Sequence, residues 1–225
     1  MATSDKQFDS QFDKVAYLTH YPWIGSDYAS APKRVLIMGH SHYATNGKEF
    51  CQEEYDRNIS DKEYTRGIIS CAIEKGGWNF HKYLQKTFLY EDMKAYDFWS
   101  KIASYNFIQE PMKEVIANAS QSCNEIAWKC FADVVQIIKP DICIFVGLKY
   151  DNGMNALDEI GVKYLIQTLN EKINNSSPKR GEMQFEDGYK LPFYMIHHTS
   201  MLYSPQLWHD FLNKEIPEVV SFLGK

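Results

Sequence analysis

The chain has 225 residues, 44% hydrophobic and 24% charged, with a high aromatic share of 15%; this is enough for a full core without staples and excludes global disorder, collagen and coiled-coil architectures. Acidic residues outnumber basic ones by 29 to 24, a net charge of −5, which speaks against gripping a long duplex by counterion displacement and leaves only a local contact with nucleic acid. Five cysteines with no C-x-x-C pair read as free thiols of a reducing, cytoplasmic setting. The polar, acidic opening MATSDKQFDSQFDK does not read as a signal peptide. The longest apolar run, Ile142 to Gly147, is too short to span a bilayer, so no membrane partner is expected.

Residues 1–33 read as a polar and aromatic extension, with a turn near Gly25-Ser26-Asp27. The first strong strand is 34–39, a continuous apolar run ending at Gly39, as in a parallel sheet buried on both faces. Residues 60–75 and 78–90 read as helices separated by Gly76-Gly77. A short strand follows at 103–108, with Pro111 marking its end. Ser122 and Glu125 have capping-box spacing. Behind them Cys123, Ile126, Ala127, Cys130, Phe131, Val134, Val135 and Ile138 recur at helical steps until Pro140. The run 142–147 is a third buried strand. Residues 154–174 read as mostly helical, and 174–192 as a loop or small hairpin. A fourth strand at 193–197 precedes a final helix over 205–223, kinked at Pro217.

Strands interleaved with amphipathic helices predict one α/β domain over 1–225, a mostly parallel sheet with helices on both faces, the extension 1–33 packed against it. In such folds ligands sit beyond the carboxyl ends of the strands. Those ends are Gly39-His-Ser-His-Tyr43; Tyr105, Asn106 and Gln109; Gly147-Leu-Lys-Tyr150; and His197-His-Thr-Ser200. Polar and aromatic groups gather at all four. Trp99, just before the second strand, reads as core, and Ser176-Ser-Pro-Lys-Arg180 as a solvated loop.

The order RVLIMGHSHY, FWSKIASYNFIQ, KPDICIFVG and MIHHTS resembles the uracil-DNA glycosylase-like superfamily, over about residues 33–212. The likeness is to a branch whose first motif reads GESHY. It implies a three-layer α/β/α sandwich with a four-stranded parallel sheet of order 2-1-3-4. It also implies hydrolysis of the N-glycosidic bond of a base flipped out of DNA. The resemblance assigns water orientation to the first motif, where His40 stands in place of the usual acidic residue. It assigns stabilisation of the leaving base to His198. Gly39, Ser41, His42 and Tyr43 would surround the base, with Tyr43 stacking on it, Asn106 reading its edge, and Ser200 closing the last motif. Met201 and Leu202 would fall where the family inserts a wedge into the duplex.

Two other readings remain open. The domain could hold a nucleobase, nucleotide or nucleic-acid end without cleaving it, since the first-motif acid is replaced. Alternatively, His40, His42, His197 and His198 could form a metal hydrolase centre. Gly39-His-Ser-His42 also looks like the GHxH of calcineurin-like phosphoesterases, but the carboxylate motifs those enzymes need upstream do not occur. Neither a metal nor a cofactor is expected.

Overall fold

The computed structural model describes residues 3–46, 49–88, 94–114, 119–199 and 202–225. The chain opens with a short helix α1 (Asp9–Phe12), a two-residue strand β1 (Trp23–Ile24) and a 3-10 turn (Tyr28–Ser30). Strand β2 (Val35–Tyr43) follows, then a small hairpin of β3 (Thr45–Asn46) and β4 (Glu49–Phe50). Four helices come next: α2 (Gln52–Ser60), α3 (Tyr64–Lys75), α4 (Asn79–Phe88) and α5 (Ala95–Trp99). Strand β5 (Ile102–Met112) leads to α6 (Gln121–Ile138) and β6 (Ile142–Val146). A 3-10 helix (Met154–Ile160) precedes the strands β7 (Lys163–Thr168), β8 (Lys179–Gln184) and β9 (Lys190–Ile196). Helices α7 (Pro205–Glu215) and α8 (Pro217–Leu223) end the fold.

The sheet has seven strands in the order β1-β5-β2-β6-β9-β8-β7. At its centre β5, β2, β6 and β9 run parallel, with Val35 opposite both Ile102 and Ile142, and Cys143 opposite Phe193. These four strands keep the expected 2-1-3-4 order. A purely four-stranded parallel sheet is nevertheless incorrect: β1 adds antiparallel to β5 at one edge, and β8 and β7 add antiparallel beyond β9 at the other. Alternation along the strands divides the core in two. Leu36, Met38, Ala103, Tyr105, Phe107, Cys143 and Phe145 pack toward α6. Val35, Ile37, Ile102, Ile142, Ile144 and Val146 pack with residues of α3, α4, α5, α7 and α8. Burial on both faces is why these strands read as unbroken apolar runs.

Several boundaries differ from the sequence reading, each for a local reason. The segment 154–174 is not one helix. Gly161 at φ +75° ends the 3-10 turn in a left-handed conformation that suits glycine, and Lys163–Thr168 continues as an edge strand of alternating exposure. Part of the expected loop at 174–192 is β8, hydrogen-bonded on both sides. Strand β2 runs four residues past Gly39, so the first motif lies on the strand itself. Strand β5 continues through Pro111. There it pairs only with β2, at a register shift between Ser41 and Tyr43, where a missing N–H is tolerated. Ser120, not Ser122, caps α6, its hydroxyl accepting from the Cys123 N–H at 3.2 Å. The expected helix at 60–75 is α3 alone, with α2 a separate helix before it. The final helix is two, broken at Ile216, with Pro217 opening α8 in its first turn.

The N-terminal extension is part of the domain. Arg66, on α3, is only 3% exposed. Its guanidinium meets Asp9 at 2.6 Å and Glu63 at 2.8 Å, and donates to the Pro22 carbonyl at 2.9 Å. The Trp23 indole donates to the Trp99 carbonyl at 2.8 Å. Among the described residues, no helix is long and apolar enough to cross a membrane. All five cysteines are unpaired, with Cys130 and Cys143 buried.

The aromatic layer under α6 centres on Phe145, fully buried and in ring contact with Phe107, Trp128, Phe131, Tyr150 and Phe193. Replacing it with alanine removes the ring that all five share. Phe145→Ala is expected to lower stability by about 3–5 kcal/mol, read from urea denaturation midpoints.

Candidate functional site

A cavity of about 790 Å³ opens over the carboxyl end of β2 and the first half of β5, which runs on to Met112. Its roof is the helical segment between those strands, with Glu54 from α2, Tyr64, Thr65 and Ile69 from α3, and Phe80 and His81 from α4. Its floor is formed by these strands, with His40 to Tyr43 from β2 and Ser104 and Asn106 from β5. His198 enters from the segment after β9, and Trp99 from the end of α5. The volume is in the upper part of the range of about 300–1,000 Å³ that holds drug-sized ligands.

The centre of this floor rests on a close approach. Gly39 and Asn106 face each other in the β2–β5 register. A Cβ on Gly39 would lie 2.1 Å from Asn106 Oδ1, and 3.5 Å from the Phe80 ring. The missing side chain therefore makes the space in which the Asn106 amide lies, with Phe80 above it. Phe80 also contacts the His198 ring, their centroids 5.8 Å apart. Behind the strand, Gln109 holds the backbone. Its amide donates to the Asn106 carbonyl at 2.6 Å and accepts from the His20 N–H at 2.9 Å. Gln109 thus supports the site from outside it.

The histidines form two groups. His40 lies beside Ser41, with Nδ1 and Oγ 3.2 Å apart, and against the Tyr150 ring at 5.9 Å. Burial lowers its pKa, helped by nearby Lys149. His198 is pushed down to about 4 by burial, with His40 and His197 adding to the effect. The second group is His42, with His20 and Tyr64 in ring contact at 5.1 and 4.8 Å, and Nε2 2.8 Å from Thr65 Oγ1. Burial, then His20 and His81, push His42 down to about 3. Burial alone pushes His81 to about 4. Near pH 7 these imidazoles are neutral, able to donate or accept a hydrogen bond but carrying no charge.

The structure brings His40, Ser41, His42, Tyr43, Asn106 and His198 to one cavity, with Gly39 beneath it. Thr199 is fully buried. Leu202 is 81% exposed, at φ +50°. Ser200 and Met201 lie outside the described residues. His40 and His42 turn to different neighbours, and among the described residues no group of three or more His, Cys, Asp or Glu side chains is placed to hold a metal ion.

Sequence reasoning missed the roof. Tyr43 lines the cavity, but Phe80 is the ring in contact with His198, and it comes within 3.5 Å of where a Cβ on Gly39 would stand. The available signal was Trp78-Asn-Phe-His81, an aromatic cluster opening α4 directly behind Gly76-Gly77. Trp99 is core as expected, and also a wall of the cavity. Glu54 is the one carboxylate lining the cavity among the described residues, and it is paired with Arg57. No family model matches the chain, and no curated protein is significantly similar to it.

Two expectations follow. In Gly39→Ala the new methyl must displace the Asn106 amide, so ligand binding at the cavity should fall at least about tenfold while the fold survives, measured by calorimetry beside circular dichroism. The second concerns acid. His42, His81 and His198 have folded pKa values below the unfolded 6.5. Below pH 6.5 the unfolded chain binds more protons, so stability is lost as pH falls from 6.5 toward 4. Urea midpoints should drop across that window, and less steeply in a His42→Gln/His81→Gln variant.

Proposed function

We propose that the cavity binds a nucleobase, free or flipped out of a nucleic acid, and that the chain hydrolyses its N-glycosidic bond slowly. The observation that carries this reading is the Asn106 amide, seated over Gly39 in the cavity that Phe80 and His198 also line, those two rings in contact with each other. An amide offers one donor and one acceptor to a base edge. An aromatic ring offers a stacking face. A neutral imidazole can donate to the oxygen of a departing base. These are the parts that the glycosylase resemblance assigns to Asn106 and His198, with Phe80 taking the stacking role expected of Tyr43.

On the water side, the neutral imidazole of His40 can orient a water but gives no negative charge to a developing sugar cation. Its lowered pKa also makes it a weak base. A well-matched general base contributes roughly 10²–10⁴ in rate, and that factor is what a chain with His40 in this place forgoes. The negative overall charge fits recognition of the base rather than of a long backbone.

The test is an excision assay on uracil- and hypoxanthine-containing oligonucleotides at pH 8, with base binding followed by calorimetry. Wild type should bind base and cleave slowly. His198→Ala should lower cleavage by roughly 10²-fold, the usual effect of removing a donor to a developing oxyanion. His40→Glu, ionised at pH 8, should raise it by a similar factor. Fast wild-type cleavage that is indifferent to His198, or no base binding in any variant, would refute the reading.

A further inference from the structure

The cavity wall carries one aromatic ring unlike the others. The chain has five tryptophans. Trp23, Trp99, Trp128 and Trp208 are at most 1% exposed, whereas Trp78 is 56% exposed and lines the cavity. An indole left in water forgoes a large burial gain, and exposed tryptophans concentrate at binding surfaces. The position of Trp78 is built. Gly76 and Gly77, at φ +85° and +57°, turn the chain out of α3, and a Cβ on Gly77 would lie 2.7 Å from that of Ala72. The indole is in ring contact with buried His81, their centroids 5.8 Å apart, so the fold backs it on one side. One turn along, the Lys82 N–H donates to the Trp78 carbonyl at 3.0 Å. Residues four apart on a helix are neighbours on its surface. Lys82 is the one lysine or arginine lining the cavity among the described residues.

We propose that Trp78 and Lys82 form a second subsite at the cavity mouth, which holds the nucleotide next to the one whose base enters the cavity. The ligand is then a single-stranded polynucleotide, rather than a free base or a duplex. The proposal rests on the reading above in seating the first base at Asn106. A flat, exposed indole offers a stacking face to a base of any identity. A lysine offers a point charge to the phosphate between two nucleotides. A ring and a cation one helical turn apart match the alternation of base and phosphate along a strand. In a duplex the neighbouring base is covered by its own stack. Gripping a duplex also takes a run of cations, and the cavity lining has this one, in a chain of net charge −5.

The experiment measures binding to the full-length protein by calorimetry, beside acrylamide quenching of tryptophan fluorescence. Because the other four indoles are buried, quenching reports on Trp78. The probes are uracil, a single-stranded trinucleotide with uracil in the middle, and a short duplex containing the same three nucleotides, each read before cleavage proceeds. The trinucleotide is run in deoxyribose and ribose forms; either one binding as follows supports the proposal, since stacking and the phosphate contact are common to both. The trinucleotide should bind roughly tenfold or more tighter than uracil, the worth of one stacked base, and should shield Trp78 from acrylamide. The duplex should bind more weakly than the single strand. Trp78→Ala should remove roughly that tenfold gain, and Trp78→Phe should keep most of it. Lys82→Gln should weaken the trinucleotide about two- to fivefold, the range of an exposed ion pair. Uracil affinity should stay unchanged in all three variants. If Trp78→Ala fails to fold, seen by circular dichroism, Trp78→Phe and Lys82→Gln decide. Uracil bound but the trinucleotide no tighter would overturn this subsite and leave base recognition standing. Trinucleotide binding that depends on Trp78, with no binding of uracil, would refute base recognition at Asn106 and keep the subsite. Trinucleotide binding indifferent to Trp78 and Lys82, tighter binding of the duplex, or loss of uracil binding in Trp78→Ala would each overturn the proposal as well.

Discussion

Strand β2 has no free side. Strands β5 and β6 take its two edges, and Val35 to Met38 are fully buried between the helical layers. A one-residue slip would exchange its two faces and move Val35 and Ile37 into the aromatic layer under α6. The register is therefore fixed by packing, and with it the pairing of Gly39 with Asn106 at the point where the strand emerges into the cavity. The site's central contact is thus a consequence of the core, set several residues earlier by side chains that never meet a ligand.

The helical segment between β2 and β5 is positioned from the other direction. Arg66 is the pin: a buried guanidinium on α3 that must be matched by Asp9, Glu63 and the Pro22 carbonyl. A buried charge without such partners would be strongly destabilising. The N-terminal segment and α3 are therefore held together, and α3 brings Tyr64, Thr65 and Ile69 to the cavity wall. Trp23 does the same for Trp99 through its carbonyl. An extension that reads in sequence as an accessory is what holds the roof over the site.

The parallel core was legible because burial on both faces leaves a simple mark, an unbroken apolar run ending in glycine or a polar cluster. The positions of His40, Asn106 and His198 followed from those runs. The antiparallel additions were not legible for a physical reason. Strand β7 is an edge with alternating exposure, and Leu165 is 78% exposed, so the consecutive Tyr164, Leu165 and Ile166 do not show that alternation in the sequence. The cavity roof was hidden for another reason. Phe80, His81 and Trp99 are brought to the strand ends by tertiary packing, and in a chain this aromatic a ring near a glycine pair is not distinctive. Glu54 reaches the cavity from α2, a helix that the periodicity did not separate from its surroundings.

The neutrality of the buried imidazoles has a consequence for ionic strength. Added salt weakens interactions between charges and leaves hydrogen bonding and stacking largely untouched. The inner walls of the cavity hold His42, His81 and His198 without charge, while Lys82 and Glu54 carry the charge of its lining. Affinity arising within would therefore be nearly constant from dilute buffer to high salt, and affinity arising from a phosphate backbone at the cavity's charged margin would decline steadily. A salt titration thus separates what the interior recognises from what the rim attracts.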